Sequence, residues 1–565
     1  MKKLYIALLL GGAVLMANAQ ATFDVLKMSE TELSGTSRYM SMAGAFGALG
    51  GDVSAISQNP GGIGVYRSSD ISATMNLNFL STKSSDYPKL TDTKFCFNNV
   101  SYVGSMKIDS DFLKYFNWGF SFNRINSFNR RYQGGYKNGY SLTNRIADYM
   151  NNGNWIDDDF SSRFYDSNAY KFYDVNPYYY SEAPWLGILA YQSYLLNADR
   201  NSGELSGLQT NGTTNSSSFY VEEKGHTDEY NITLGGNFKN IVFWGLNFGI
   251  TDLHFDSYQY FGEDLDNAVF SNYNSSYTYY SEQYPHGKSI TGLIPGNRSY
   301  LDYVGDNYIG TTTGYAGYDF QTFQETRGTG YNFKMGVIVK PINQLRIGAA
   351  FHTPTYYDMK DLYKVQSGFD LQVNGDDQLY QGSTETGEEG YYDEYRYTIK
   401  TPWRFIGSLA VVPDSKGLIS VDYEYVGANT MRCGDDRGNN YFETEYKIKD
   451  QLQASHILRV GGEFRATPNF SIRAGYSYQT SPVKDGVKGV ANDDVDVVSS
   501  NYMYQYDKSN QYITAGLGYR YKHFYADAAY VHQTRTSQYH AFPGEQGEEV
   551  KDNNNKVSLT LGFRF

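Results

Sequence analysis

Alternation of apolar and polar residues is the strongest signal in the chain. Ile71, Ala73, Met75, Leu77 and Phe79 interleave with Ser72, Thr74, Asn76 and Asn78, so a strand here carries one wholly apolar face and one wholly polar face. The last residues repeat the pattern: Val557, Leu559, Leu561, Phe563 and Phe565 alternate with Lys556, Ser558, Thr560, Gly562 and Arg564. The same reading predicts strands near 95–108, 117–128, 228–238, 242–255, 321–339, 345–356, 392–412, 418–426, 452–465, 470–479, 511–521 and 524–534. With the two terminal strands the total is fourteen, and a single-chain antiparallel barrel in an outer membrane calls for an even number.

The connections between these strands alternate in length. Short ones fall around Asn240, at Pro341 to Gln344, Pro413 to Gly417, Ala466 to Asn469, and Lys522 to His523. Long ones run from Asn129 to Thr227, Asp256 to Phe320, Asp358 to Tyr391, Gly427 to Gln451, Thr480 to Asn510 and Ser537 to Asn555. An up-and-down barrel has tight periplasmic turns and extended outer loops, which produces this alternation, whereas a soluble sandwich has no reason to show it. The expected fold class is therefore all-β, a transmembrane antiparallel β-barrel of about fourteen strands.

Export is written at the start of the chain. Lys2 and Lys3 precede an apolar run from Leu4 to Met16 and an A-x-A site at Ala17, Asn18 and Ala19, the arrangement of a cleavable secretory signal over 1–19. Gln20 follows where a lipoprotein would place cysteine, so no lipid anchor of that kind is expected. No later run approaches the roughly 18 to 20 apolar residues of a membrane helix. The bacterial outer membrane is the expected location.

Composition agrees. Tyr 56, Phe 33 and Gly 57 in 565 residues, with only 40% hydrophobic residues and a mean hydropathy of −0.54, do not describe a leucine- and valine-rich soluble core. Loss of Lys2 and Lys3 takes the formal charge from −13 to −15, which argues against nucleic acid as a partner. Two cysteines, Cys96 and Cys433, are too few for a disulfide framework or a thiolate metal site.

The segment 20–69 breaks the alternation and is expected to be a hatch, a small plug inside the barrel formed by 70–565. It holds the small-residue stretch Ser41-Met-Ala-Gly-Ala-Phe-Gly-Ala-Leu-Gly-Gly51, which lets backbone pass where side chains would not fit. Asn59, Pro60, Gly61 and Gly62 follow. Proline fixes φ near −65° and glycine tolerates positive φ, so a type II turn is expected there.

Several phrases resemble the FadL family of outer-membrane transporters for long-chain fatty acids and other hydrophobic compounds. The small-residue stretch and Asn59-Pro60-Gly61 stand where that family's hatch has such a stretch and an Asn-Pro-Ala turn. Leu345-Arg-Ile-Gly-Ala-Ala-Phe-His-Thr-Pro354, Ser471-Ile-Arg-Ala-Gly-Tyr-Ser-Tyr-Gln-Thr-Ser-Pro482 and Thr514-Ala-Gly-Leu-Gly-Tyr-Arg-Tyr521 look like the family's strands in the same order. The resemblance implies a fourteen-stranded barrel blocked by a hatch, ligand capture at an outer hydrophobic site, and diffusion along a path the hatch opens.

If the apolar faces meet lipid, the polar faces point Arg346, His352, Arg404, Asp422, Glu424, Arg459, Glu463, Arg473, Arg520, Asp527 and Arg564 into the lumen. Arg or Lys on the lipid face near the midplane would cost about 2–4 kcal/mol each. Either these charges pair with one another and with hatch groups such as Arg38 and Asp52, or one of the arginines receives a ligand carboxylate. Arg346, His352 and Arg473 are the candidate lumen residues for such a role.

Trp185, Ile188, Leu189, Leu195 and Leu196 form an apolar island in an outer loop, behind Pro184, a helix-starting residue. Leu142, Ile146, Tyr149 and Met150 share a helical face nearby. Such surface either packs the loop on itself or captures a greasy ligand. The eight histidines show no metal-binding spacing, Asp157 to Asp159 lack a calcium-loop pattern, and neither G-x-S-x-G nor H-E-x-x-H occurs. The expectation is a non-enzymatic channel for passive uptake of a hydrophobic small molecule, embedded in outer-membrane lipid, without cofactor or metal. Haem or porphyrin uptake, and a non-transporting barrel that anchors or shuttles a secretion-related protein partner, are the alternatives.

Overall fold

The computed structural model describes residues 21–84, 87–108, 110–153, 163–166, 171–174, 178, 183–198, 204–281, 284–291, 301–374, 379–385, 393–413, 416–487, 501–545 and 547–565. The expected signal segment 1–19 and the acidic run Asp157, Asp158, Asp159 lie outside these residues.

Fourteen strands close on themselves. They are β1 (Asp70–Ser84), β2 (Leu90–Lys107), β3 (Leu113–Ser127), β4 (Thr214–Phe238), β5 (Val242–Ser281), β6 (Leu301–Ile342), β7 (Leu345–His352, then Tyr356–Val373) and β8 (Asp393–Lys400, then Arg404–Val411). Then follow β9 (Gly417–Val426, then Arg432–Asp435), β10 (Ser455–Arg465), β11 (Phe470–Thr480), β12 (Tyr504–Tyr521), β13 (Phe524–His540) and β14 (Glu548–Arg564). Each pairs antiparallel with the next. The ring is shut by β1 against β14, from Asp70 opposite Arg564 to Ser84 opposite Val550.

The burial pattern shows what solvent this barrel is made for. On β1, Ser72, Thr74 and Asn76 are at most 3% exposed, while Ile71 is 48% and Phe79 41% exposed. Ile232, Leu246, Ile347, Leu409, Leu458, Leu517 and Leu559 continue that exposed apolar belt around the ring. A polar interior inside an apolar exterior is stable in lipid and not in water.

The strands run further than the alternation indicated, because its sign reverses above the belt. On β5 the inward positions Asn247 and Thr251 give way to Leu253, Phe255 and Phe261, all at most 2% exposed, with Asp252, His254 and Asp256 now outward. On β7, Tyr357, Met359 and Val365 take the same inward, buried places. Here the sheet encloses an apolar core and faces water, as an ordinary soluble sheet does. Much of what was expected as loop over 256–320 and 358–391 is therefore strand. β5 and β6 have 40 and 42 residues, against the roughly 9–11 that cross a bilayer, and pair along their length as one projecting hairpin.

The single strands expected at 345–356 and 392–412 are broken at one level, where Pro354 and Pro402 sit on neighbours and supply no ladder N–H. Threonines repair the seam: Thr355 N–H donates to Thr401 Oγ1 at 2.8 Å, and Phe333 N–H to Thr353 Oγ1 at 3.0 Å. β9 is interrupted beside them by a short 3-10 turn, Ala428–Thr430. The alternation of connections predicts that Asn211→Cys, in a long connection, is labelled on intact cells by a membrane-impermeant maleimide. Ala466→Cys, in a tight turn, should be labelled only after lysis. Labelling of both on intact cells would contradict this orientation.

Candidate functional site

The inside of the ring is occupied by the chain's own beginning. Helices α1 (Thr22–Met28), α2 (Ser37–Ser41) and α3 (Val53–Gln58), then a 3-10 helix at Pro60–Val65, precede β1. Almost all of Ala21 to Val65 is buried or half-buried. No type II turn forms at Asn59 to Gly62, and neither Gly61 nor Gly62 has positive φ. Instead the Asn59 side chain caps the 3-10 helix, its Oδ1 accepting from Gly61 N–H at 3.0 Å, with Pro60 at the first helical position, where its missing N–H costs nothing. Gly61 is small for a different reason: a Cβ there would stand 2.9 Å from the Val337 Cα.

That close approach recurs around the wall. Side chains added at Gly235, Gly245, Gly336, Gly348, Gly461, Gly475 and Gly516, on seven different strands, would run into Ile63, the Pro60 carbonyl, the Asn59 side chain, the Gly47 carbonyl, Met42 and Ser41. The inner segment thus presses its backbone against a belt of lumen-facing glycines, and Ser41 to Gly51 is poor in volume because it fits that belt. Asn59 Nδ2 ties the seat together, donating to Gly47 O at 2.6 Å and Val337 O at 3.2 Å.

The lumen charges that the alternation singled out lie on β7 to β14. Glu463 receives Arg473 at 2.7 Å and Arg38 of the inner segment at 3.1 Å, and Arg473 also reaches Asp527 at 2.6 Å. Glu424 holds Arg459 at 2.6 Å and Arg404 at 3.2 Å, and Arg404 donates on to Thr31 Oγ1 at 2.9 Å. Asp422 accepts the Gly47 N–H at 2.8 Å, His352 Nε2–H donates to the Gln58 carbonyl at 2.8 Å, and Arg346 donates to the Leu49 carbonyl at 2.7 Å. Arg564 pairs with Asp70 at 2.7 Å. Arg520 makes its nearest aromatic contact with the Tyr525 ring, at 5.9 Å. Within the inner segment, burial pushes the Asp52 carboxyl up while Arg38 holds it down. Of the three candidate ligand residues, Arg346, His352 and Arg473 are thus each committed to the inner segment or to wall carboxylates.

The remaining wall, β1 to β6, is lined by Asn76, Asn99, Ser101, Asn117, Asn231, Asn247 and Asn332. It also grips the inner segment, through Asn117 to the Ile63 carbonyl (2.7 Å), Asn98 to the Gly35 carbonyl (3.0 Å), Asn123 to Ser57 (3.1 Å) and Glu223 to Lys27 (2.5 Å). Lys334 and Glu229, 2.7 Å apart, are an ion pair on this side that the alternation did not single out.

No family model matches the chain, and no curated protein matches it. Among solved structures it is similar to a Pseudomonas aeruginosa FadL homologue, at 13% identity and TM-score 0.44 over 95% of this chain and 99% of that one. It is similar also to the Ralstonia pickettii toluene transporter TbuX, at 12% identity and TM-score 0.42 over 94% and 99%. The P. putida toluene transporter TodX is matched at 12% identity and TM-score 0.40, again over 94% and 99%. The chain is similar to FadL-type transporters. That likeness carries no residue correspondence, and the barrel stands on its own strand pairings.

Cavities border the inner segment at several points. One of about 150 Å³ lies between Met28 to Glu32, Ser57 and Gln58 on one side and Glu229, Lys334, His352, Arg404 and Glu424 on the other. A second, of about 50 Å³, is bounded by Leu26, Glu30, Pro402, Val426, Ile457, Pro482 and Arg535. Both reach the seam at Pro402.

The apolar island lies above. α5 (Trp185–Gln192) packs on α4 (Leu142–Asn152), burying Leu142, Ile146 and Met150 but leaving Tyr149 39% exposed. Ile188, Leu189 and Leu195 are fully buried, and Trp185 and Leu196 nearly so. The structure therefore packs these five residues as the core of an outer cap. What the alternation missed was that this core continues to Phe23, Val25 and Leu26 of α1.

Proposed function

We propose that the protein is an outer-membrane channel for passive uptake of hydrophobic small molecules, with residues 20–69 as its hatch. The observation that carries this reading is the single apolar cluster joining Ile188, Leu189 and Leu195 in the outer cap to Phe23, Val25 and Leu26 at the head of the inner segment. It offers a greasy molecule apolar surface from the cap to the hatch. Ions have no such match, because the lumen below is filled by residues seated on glycines and tied by ion pairs. The channel works without covalent chemistry.

In this reading Trp185, Ile188, Leu189, Leu195 and Leu196 form the capture surface, exposed to cargo when the cap parts. Removing a large apolar side chain from such contact costs about 1.5–3 kcal/mol, roughly tenfold or more in affinity. Trp185→Ser with Leu189→Ser is therefore expected to reduce uptake of radiolabelled oleate by intact expressing cells at least about tenfold, with the folded barrel's heat-resistant gel migration retained. Unchanged uptake, with the cap merely protease-sensitive, would reduce the island to loop packing.

A second reading, a barrel that anchors or shuttles a secreted protein, draws on the projecting β5–β6 hairpin. Contents of the purified protein separate the readings. Extracted lipid or hydrocarbon favours uptake, a stoichiometric polypeptide favours the anchor, and a Soret band would point to porphyrin.

A further inference from the structure

The sheet that projects above the apolar belt carries an aromatic platform on its outward face. On β5 the outward positions are Asp252, His254 and Asp256, then Tyr258 and Tyr260, while Leu253, Phe255 and Phe261 alternate with them inward. Tyr258 lies opposite Phe323 of β6, and Tyr260 lies opposite Tyr220 of β4. The Tyr258 ring stands 5.1 Å from Phe323 and 6.3 Å from Tyr220. Half-buried rings from three strands thus share one patch on the water-facing side of the sheet.

Glycines set how the upper rings lie. The Tyr260 hydroxyl comes within 2.5 Å of where a Gly262 Cβ would stand, and the Tyr315 hydroxyl within 2.6 Å of the same place at Gly317. Each ring therefore lies down along its strand over a residue without a side chain, and turns a face outward instead of an edge. Polar groups border these faces: Tyr258 donates to Gln321 at 3.2 Å, Gln321 to Asp319 at 2.8 Å, and Tyr315 to Asp264. Asp319 is opposite Gly262 and Asp264 opposite Gly317, so a carboxylate sits beside each laid-down ring.

An aromatic face is electronegative and attracts polarised C–H bonds, while carboxylate and amide oxygens accept from hydroxyls. A sugar ring, with C–H bonds on its flat faces and hydroxyls round its edge, meets both. The carboxylates repel phosphate, so the matching sugar is a neutral one.

Position supplies the source of that sugar. The same outward face carries Tyr230, Ile250 and Tyr331, 43–56% exposed, at the top of the apolar belt. Tyr258 is eight residues beyond Ile250, which is roughly 20 Å further out for a strand tilted by about 40°. Between them lie Asp252, His254, Asp256 and Arg327, a charged level suited to lipid headgroups. A glycan carried by an outer-leaflet lipid beside this wall rises past the rings.

We propose that Tyr220, Tyr258, Tyr260 and Phe323 form a docking surface for the neutral sugars of lipopolysaccharide packed against the outer wall. The surface lies outside the lumen, so it is independent of what the channel carries.

The test compares two lipopolysaccharides binding to the purified full-length protein in detergent: one with a complete, hexose-bearing core, and a deep-rough form cut back to lipid A and its acidic inner sugars. Wild type is expected to bind the complete form about tenfold more tightly. Tyr258→Thr with Phe323→Thr removes two rings while keeping strand-forming residues, and should erase that preference with deep-rough binding unchanged. Tyr258→Phe keeps the ring and should keep the preference; Tyr220→Thr, expected to weaken it, serves if the double variant does not migrate as folded barrel. No preference in wild type, or an undiminished one in the folded ring variants, would overturn the proposal. A fall in binding of both forms alike would mean that the rings only hold the sheet together, and would overturn it too. Displacement of the complete form by free dextran at equal hexose concentration would make the partner a soluble glycan and overturn the lipid-borne assignment.

Discussion

Arg473→Met is expected to lower the stability of the folded barrel by about 3–5 kcal/mol, the usual cost of removing one partner from a buried ion pair. Arg473 lies between two carboxylates, Glu463 at 2.7 Å and Asp527 at 2.6 Å, and all three side chains are at most 5% exposed. Without the guanidinium, Asp527 loses its ion-pair partner and Glu463 keeps Arg38 and, more distantly, the exposed Arg465. The loss therefore reaches the inner segment as well as the wall. The readout is the temperature at which the compact, heat-resistant band on a gel is lost. Arg465→Met is the control: its side chain is 49% exposed and stands 3.8 Å from the same Glu463, and exposed pairs contribute about 0–1 kcal/mol. Equal shifts for the two variants would mean that the lumen is wet enough to solvate the carboxylates, and the network would then not be what holds the segment.

The wall was legible in the sequence because lipid imposes one rule on every crossing strand. Ile71 to Phe79 and Val557 to Phe565 obey it, as do the inward charges Arg346, Asp422, Glu463 and Arg473. The rule stops holding where the membrane stops. Above Thr251 the inward positions become Leu253, Phe255 and Phe261, and a search for polar-in, apolar-out alternation reads that reversal as loop. The breaks at Pro354 and Pro402 could have been foreseen, since proline does not belong inside a central strand; that both fall at one level depends on register, which no single strand reveals.

The inner segment was legible only in outline. Its small residues announced a close approach without naming the surface. The partner signal was present in Gly245, Gly336 and Gly348, glycines at inward positions of otherwise regular strands, and it gains meaning once Pro60, Asn59 and Gly47 are seen against them. The same limit governs Asn59 to Gly62, where proline and glycine suit a type II turn locally but the wall selects a 3-10 helix. The apolar island likewise could be found in sequence, but its continuity with Phe23 and Leu26 is a product of the fold.

The central claim is that residues 21–65 fill the lumen and are seated by backbone contact with wall glycines. A leucine at Gly348 or Gly336 would occupy the place of the Gly47 carbonyl or the Asn59 side chain. Neither strand needs to move to accept it, because both glycines face the lumen, so the inner segment must yield. Overpacking at a rigid contact costs about 1–3 kcal/mol at each position, and the two positions contact both ends of one hydrogen-bonded seat. The direct test is ion conductance of the Gly336→Leu, Gly348→Leu double variant in planar bilayers, using only protein that migrates as folded barrel. The account predicts a near-silent wild type and a variant with frequent, large openings; a variant as silent as the wild type would contradict it.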